Sequence, residues 1–372
     1  MKTALEHLCA LISIPSVSSQ SNRGIVDYAT ATLASLGWTW REFPYRDASG
    51  VEKVNFIAAP GGQSLEADCV DMAFVCHTDT VPHAAHWGAA LEPALRDGYL
   101  RGCGSCDVKS VLACLLALFE QVGEIKPQLR LVLTAEEEIG CLGAKRLLQQ
   151  GMPRVRQMIV GEPTSLRVAR AGKGYCLAEI VVRGREAHSA LPEHGISAIA
   201  AAAAVVTQIY ALAACIERDQ HIFFSPPYTT MNIGTITGGT ARNVVAGRCA
   251  FPVEWRPIPG QSSSLVPQAL AAIAAQVEQQ YVGVSIEVNI LREQVGFETS
   301  AEASLVRQIE AYTGQAATSI AFGSEASILA VLAEEVVVFG PGDMATAHSD
   351  RECVPCDELE AAIECYRRIV EN

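Results

Sequence analysis

The 372-residue chain is predicted to be an α/β protein, with a mixed, largely parallel sheet interrupted by a smaller α+β domain of ferredoxin-like order. Three observations predict this. Short apolar runs at 73–76, 131–133 and 158–160 end abruptly in polar or acidic residues, and each is followed by a helix-like stretch, the alternation of a layered parallel sheet. From about residue 168 the pattern changes to a compact strand and helix unit. After residue 292 the α/β alternation returns.

Taken in order, the run 73–76 leads into His77, Thr78 and Asp79, and a helix pattern fills 109–122. The run 131–133 leads into Thr134, Ala135, Glu136, Glu137 and Glu138, and 158–160 leads into Gly161, Glu162, Pro163 and Thr164. The middle segment reads strand 176–182, helix 196–215, strands 231–237 and 248–254, helix 263–280 and strand 285–291. That order is β-α-β-β-α-β, one ferredoxin-like unit. The final segment holds an apolar run, 335–339, that ends in Gly340, Pro341, Gly342 and Asp343 shortly before His348. The simplest organisation is one α/β domain, 1–167 and 293–372, with residues 168–292 inserted.

Charge narrows the function. Lys and Arg number 28 against 41 Asp and Glu, a formal net charge of −13, which disfavours a nucleic-acid backbone or an anionic membrane as partner. With 49% hydrophobic residues the chain can bury a sizeable core. The 13 cysteines are odd in number and scattered, so reduced and mostly buried thiols are expected. Glu6 interrupts the apolar start and no small-residue cleavage pattern follows, which argues against a secretory leader. The longest apolar stretch, 196–215, is Ala-rich and broken by Ser197, Thr207, Gln208 and Tyr210, a packed helix rather than a lipid span. A cytoplasmic protein is expected.

In such sheets ligands gather at the carboxyl ends of the strands. Here those ends and the regions next to them offer His77, Asp79, Asp107, Glu136, Glu137, Glu138, Glu162 and His348. An acid at the tip of a buried strand costs desolvation unless a cation or hydrogen bonds compensate. Two metals about 3.5–4 Å apart need one shared ligand and roughly two more each, which leaves a carboxylate over for general-base work. Singly, each residue has a plain structural explanation: an acid triplet suits a helix start, and His348 suits a helix cap. Their recurrence at successive strand ends favours metal.

Read together, residues 11–18 (LISIPSVS), 77–82 (HTDTVP), 102–109 (GCGSCDVK), 134–138 (TAEEE), 161–164 (GEPT) and the distal His348 resemble the M20 family of dinuclear zinc amidohydrolases and peptidases. The resemblance covers nearly the whole chain in order. It implies two divalent metal ions, zinc first with cobalt as an alternative. It implies His77, Asp107, Glu138, Glu162 and His348 as ligands, Asp107 bridging, and Glu137 as general base. Asp79 would orient the His77 imidazole, as an acid behind a ligand can. The insert would be a lid and dimerisation domain. Its His188 would donate to the tetrahedral oxyanion, often from the neighbouring subunit of a homodimer. Arg256 would hold a substrate carboxylate, with Asn243 hydrogen-bonding near the same end, and Lys173 would belong to a hinge turn.

Cys103, Val108 and Ser110 depart from the common Arg, Met and Gly beside the bridging acid, but no ligand is lost. Cys106, the segment 323–326 and the run from Gly340 to His348 look most like the acetylornithine deacetylase branch. That branch implies an N-acyl amino acid substrate, N-acetylornithine foremost. Succinyl-diaminopimelate desuccinylase, N-acetylcitrulline deacetylase and dipeptidase activities remain open, as does an amino-acid-binding homologue without catalysis. The pairs Cys103/Cys106 and Cys353/Cys356 invite a redox or structural-zinc reading, but most of the chain separates them. Neither a Gly-x-Ser-x-Gly elbow nor a Gly-x-x-x-x-Gly-Lys phosphate loop is present.

Overall fold

The structure, a computed structural model, describes residues 1–372. The chain divides into two compact units: Met1–Ala171 with Glu298–Thr318 and Ser324–Asn372, and Gly172–Phe297 with Ser319–Gly323. The divisions at 171/172 and 297/298 lie slightly beyond the expected 167/168 and 292/293. The short return segment 319–323 had no counterpart in the sequence reading.

In the larger unit the sheet order is Thr39–Arg46, Glu52–Ala59, Leu129–Thr134, Cys69–His77, Arg154–Val160, Ala333–Val338, Ala169–Gly172. The four strands from Leu129–Thr134 to Ala333–Val338 run parallel, and antiparallel pairs flank them. Mixed α/β architecture is therefore what the structure has. Leu129–Thr134 and the C-terminal halves of the other three parallel strands are buried on both faces, which is why those stretches read as continuous apolar runs. Met72, Phe74, Cys76, Leu129, Leu131 and Leu133 join one core with the helices Ala4–Ile12, Arg23–Ser35, Lys109–Gln121, Ser304–Thr313 and Cys356–Glu371.

The helix Lys109–Gln121 is buried from Lys109 to Phe119, so its start, just after Asp107, is held by packing. Gly340 follows the strand Ala333–Val338 where a Cβ would come within 2.6 Å of Val111 and 2.7 Å of the Glu162 carbonyl oxygen. Only a residue without a side chain lets that strand end approach the helix so closely. The hairpin Thr39–Arg46 and Glu52–Ala59 was not read from the sequence, because its outer strand is largely exposed and lacks an apolar run.

The inserted unit has strand order Thr230–Asn232, Arg248–Arg256, Cys176–Arg183, Ser285–Arg292, all antiparallel. This is the ferredoxin-like arrangement expected. The strand expected at 231–237 is instead two short pieces, Thr230–Asn232 and Thr237–Gly238, with Gly234, a residue that weakens strand interiors, in the gap between them. The helix Ala198–Ile216 is long and apolar enough to cross a membrane by length and composition alone. Its stripe of Ala198, Ala201, Ala202, Val205, Ile209 and Ile216 is buried in the core of this unit.

Candidate metal centre

The parallel strands end side by side, and Cys69–His77 lies where the topology reverses, with Leu129–Thr134 on one side and Arg154–Val160 on the other. Such a switch point opens a crevice beyond the strand ends. His77 is the last residue of that strand. Its Nδ1 lies 3.0 Å from the Asp79 carbonyl oxygen, a bond that places the proton on Nδ1 and leaves Nε2 as a ligand atom.

Nε2 of His77 is 2.9 Å from Asp107 Oδ1. The other oxygen, Oδ2, is 3.2 Å from Nε2 of His348, which in turn is 3.1 Å from Glu138 Oε2. The ligand atoms of His77, Asp107 and Glu162 lie within 4.8 Å of one another, as do those of Asp107, Glu138 and His348. Asp107 therefore belongs to both groups and turns a different oxygen to each histidine. Ligands around a tetrahedral zinc at 2.0–2.1 Å stand about 3.3 Å apart. The separations fit two such ions, and imidazole with carboxylate is a donor set suited to zinc or cobalt.

The electrostatics point the same way. Burial disfavours a charged His77 ring, yet the hydrogen bond and charge of Asp107 lift its pKa well above the usual range. Hydrogen bonds to Asp107 and Glu138 push His348 up to about 10. Asp107, which burial alone would neutralise, is held well below the usual carboxylate range by the two imidazoles. Burial and repulsion from Asp107 push Glu162 well above its usual value, and burial pushes Glu137 up to about 8, with the charges of Glu138, Glu325 and Asp79 adding to it. Carboxylates gathered out of water draw protons to themselves or to their histidines; divalent cations would supply that positive charge instead.

Asp79 departs from its expected position. Its carboxylate lies 3.9 Å from His77 Nδ1, so the imidazole is oriented by the Asp79 carbonyl rather than by its side chain. The carboxylate instead accepts from Ser18 Oγ at 2.6 Å and from the Glu137 N–H at 3.0 Å, with the Glu138 N–H at 3.4 Å. It thus holds the loop that presents both glutamates. Glu136, at φ 59°, accepts from Tyr45 Oη at 2.8 Å, away from the histidines, while Glu137 Oε1 receives Cys141 Sγ at 3.2 Å.

In the inserted unit His188 and Asn243 are exposed on adjacent loops, joined by the Ser189 N–H to the Asn243 carbonyl at 2.9 Å and by a bridge between His188 and Val244. The Ala190 N–H donates to His188 Nδ1, so Nε2 keeps a proton to donate. Arg256 pairs with Glu254 at 2.9 Å and lies over the Tyr175 ring. Here the structure corrects the sequence reading. Arg256 ends a strand whose other terminus, Arg248, pairs with Arg183, beside the His188 loop. Asn243 therefore sits with His188, roughly 25 Å of strand away from Arg256. Strand direction, which a motif does not report, puts them at opposite ends. Lys173 is buried, with Nζ 2.6 Å from the Tyr228 carbonyl.

Two buried acids escaped the sequence reading as site residues. Glu325 accepts from Thr134 Oγ1 at 2.9 Å, and burial pushes it up to about 7. Glu352, also pushed up to about 7 by burial, accepts main-chain N–H groups from the Asp107 loop. Glu352 lies four residues past His348, but nothing in that spacing marks it as buried. All 13 cysteines are free thiols, eight of them buried, and burial raises the pKa of Cys103 and Cys106, which makes them poor nucleophiles.

Residues 73–372 match the model of peptidase family M20/M25/M40. The chain is 41% identical over 353 residues to an acetylornithine deacetylase of Myxococcus xanthus, covering 95% of this chain and 92% of the relative. It is 30% identical to one from Erwinia tasmaniensis, covering 100% and 99%. Its fold is similar to that of a tripeptidase from Staphylococcus aureus, TM-score 0.78 at 21% identity, covering 99% and 97%. A dinuclear metal binding peptidase of the M20 family from Bacillus subtilis aligns with TM-score 0.69 at 14% identity, covering 99% and 98%. With the family pattern spanning most of the chain and two sets of candidate metal ligands meeting at one aspartate, the chain belongs to the M20 family of metal-dependent hydrolases.

Proposed function

We propose that the protein is a zinc-dependent deacylase that hydrolyses N-acetylornithine to ornithine and acetate. The observation that carries this reading is the bridging posture of Asp107, one oxygen toward each histidine, with the buried Glu137 alongside. The similarity to the Myxococcus xanthus acetylornithine deacetylase supports the substrate.

His77, Asp107 and Glu162 would hold one ion, and Asp107, Glu138 and His348 the other. When bound, the pair supplies Lewis acidity, polarising the amide carbonyl and lowering the pKa of water. Glu137 takes a proton from the attacking water as the new C–O bond forms. It returns that proton to the departing nitrogen as the C–N bond breaks, and the amine takes up the proton that the new carboxyl group releases, so acetate and a protonated amine balance one amide and one water. His188 donates a hydrogen bond from its Nε2–H to the tetrahedral oxygen and keeps its proton. Arg256 receives the α-carboxylate in its guanidinium fork.

His188 and Arg256 lie at opposite ends of one inserted sheet, too far apart to meet the same small substrate within one copy. That separation supports a homodimer in which one copy supplies His188 and Asn243 and the other Arg256. The helix Ala198–Ile216 leaves Ile199 and Tyr210 exposed, apolar surface suited to such a contact. A cytoplasmic location fits the acidic, thiol-rich chain.

The test is a hydrolysis panel with zinc- or cobalt-loaded enzyme on N-acetylornithine, N-acetylcitrulline, N-succinyl-diaminopimelate and dipeptides. N-acetylornithine should show the highest kcat/KM; a higher value for another member reassigns the substrate, and inactivity on all removes the hydrolase mechanism.

A further inference from the structure

The loop that carries Asp107 has an unusual destination for its main-chain donors. Of the six consecutive amides 102–107, the Cys103 N–H goes to the Ala90 carbonyl and the Ser105 N–H to that of Gly102. The other four go to one residue, Glu352. Its carboxylate accepts Gly104 N at 3.0 Å on Oε2, and Cys106 N at 3.0 Å and Asp107 N at 3.1 Å on Oε1; its carbonyl accepts Gly102 N at 3.4 Å. Buried main-chain donors must find acceptors, and few side chains satisfy three at once. Gly104, at φ 79°, supplies the left-handed turn that points these donors at a common centre.

Glu352 is also tied to the segment carrying His348. Its N–H donates to the Ser349 carbonyl at 3.1 Å, and the next residue, Cys353, pairs with Arg101 in a small sheet. One buried side chain thereby joins the two loops whose side chains, Asp107 and His348, must meet within a few tenths of an ångström. We propose that Glu352 is a positioning residue that clamps the Asp107 loop to the His348 segment and so sets the bridging geometry of the metal pair. This rests on the dinuclear reading of the site. Glu352 belongs to neither set of candidate ligands, and it acts through the backbone of Asp107.

Glu352→Gln keeps the size and removes one acceptor. Oriented with its oxygen toward Cys106 and Asp107, the amide turns its NH2 against the Gly104 N–H, and that bond is lost. Three measurements on full-length protein separate positioning from simple destabilisation. In chelated protein, amide hydrogen exchange across 104–107 should speed in E352Q while the helix Lys109–Gln121 keeps its protection. Zinc titration by calorimetry should show one of two sites weakened by about 10- to 100-fold, the usual effect of losing an outer partner. The kcat should fall with KM within about twofold.

Unchanged exchange at 104–107, or two metals bound as tightly as in wild type, overturns the proposal. If E352Q does not fold, the same measurements on Glu352→Asp decide it: the charge remains but the reach does not, so wild-type metal affinity there would also overturn it. Wild-type protein that takes up no metal would sink the dinuclear reading together with this one. Wild type binding two metals with a matching E352Q sinks the clamp alone.

Discussion

Glu137 and Glu138 are neighbours of which only Glu138 belongs to a candidate ligand set, and the Asp79 carboxylate grips the loop that carries both. Because Glu137 is buried and lies in neither set of candidate ligands, Glu137→Gln should leave two metals bound while kcat drops by about 10²- to 10⁴-fold, the range for a general base. Elemental analysis beside steady-state kinetics checks both halves. A rate near wild type would take the base role from Glu137. His348→Ala removes a ligand atom shared with Glu138 and Asp107, so metal content should fall from two toward one per chain. Unchanged content would rule out that ligand. The motif made His77, Asp107, Glu138, Glu162 and His348 legible, because ligand chemistry demands residue types. Glu352 and Glu325 were not legible, since an exposed glutamate and a buried one are written alike.

The elements carry predictions of stability. The helix Lys109–Gln121 delivers Asp107 and is buried along nearly its whole length, with Leu115 at its centre fully enclosed. Leu115→Ala should cost about 2–5 kcal/mol of unfolding free energy, because a well-packed site collapses only partly around the cavity; urea denaturation of the metal-free protein reads it. The helix Ala4–Ile12 carries the fully buried His7, whose Nδ1 meets Tyr28 Oη at 2.9 Å. Burial lowers its pKa below 6.5, although the Glu120 charge opposes this. As pH falls through 6.5 the unfolded chain takes up a proton that folded His7 refuses, so the unfolded state is favoured and stability declines, by at most about 1.4 kcal/mol per pH unit for one group. His7→Gln should flatten the decline between that pH and the lowered folded value; identical slopes for variant and wild type would discard the assignment. At this scale periodicity disclosed the buried parallel strands, but not the polar outer hairpin strand Thr39–Arg46.

For the whole molecule, the opposite placement of His188 and Arg256 makes a sharp prediction. A protein with His188→Ala and one with Glu137→Gln should each be nearly inactive, yet a refolded equal mixture should recover about a quarter of wild-type activity. Half the dimers are then mixed, and each has one site with an intact base and an intact donor. No recovery would mean that His188 does not act across copies. Light scattering should accordingly give twice the 39.7 kDa chain mass.

The sequence by itself determined the alternation of strands and helices, the interruption by an α+β unit and the inventory of acids and histidines at strand ends. Periodicity and ligand chemistry are local properties, so they survive in one dimension. Tertiary structure alone decided which oxygen of Asp107 faces which histidine, that the Asp79 carbonyl rather than its carboxylate orients His77, and that one glutamate collects the amides of a loop some 245 residues earlier. It also decided that Asn243 stands apart from Arg256. Each depends on strand direction and burial, and these arise only when distant segments pack together.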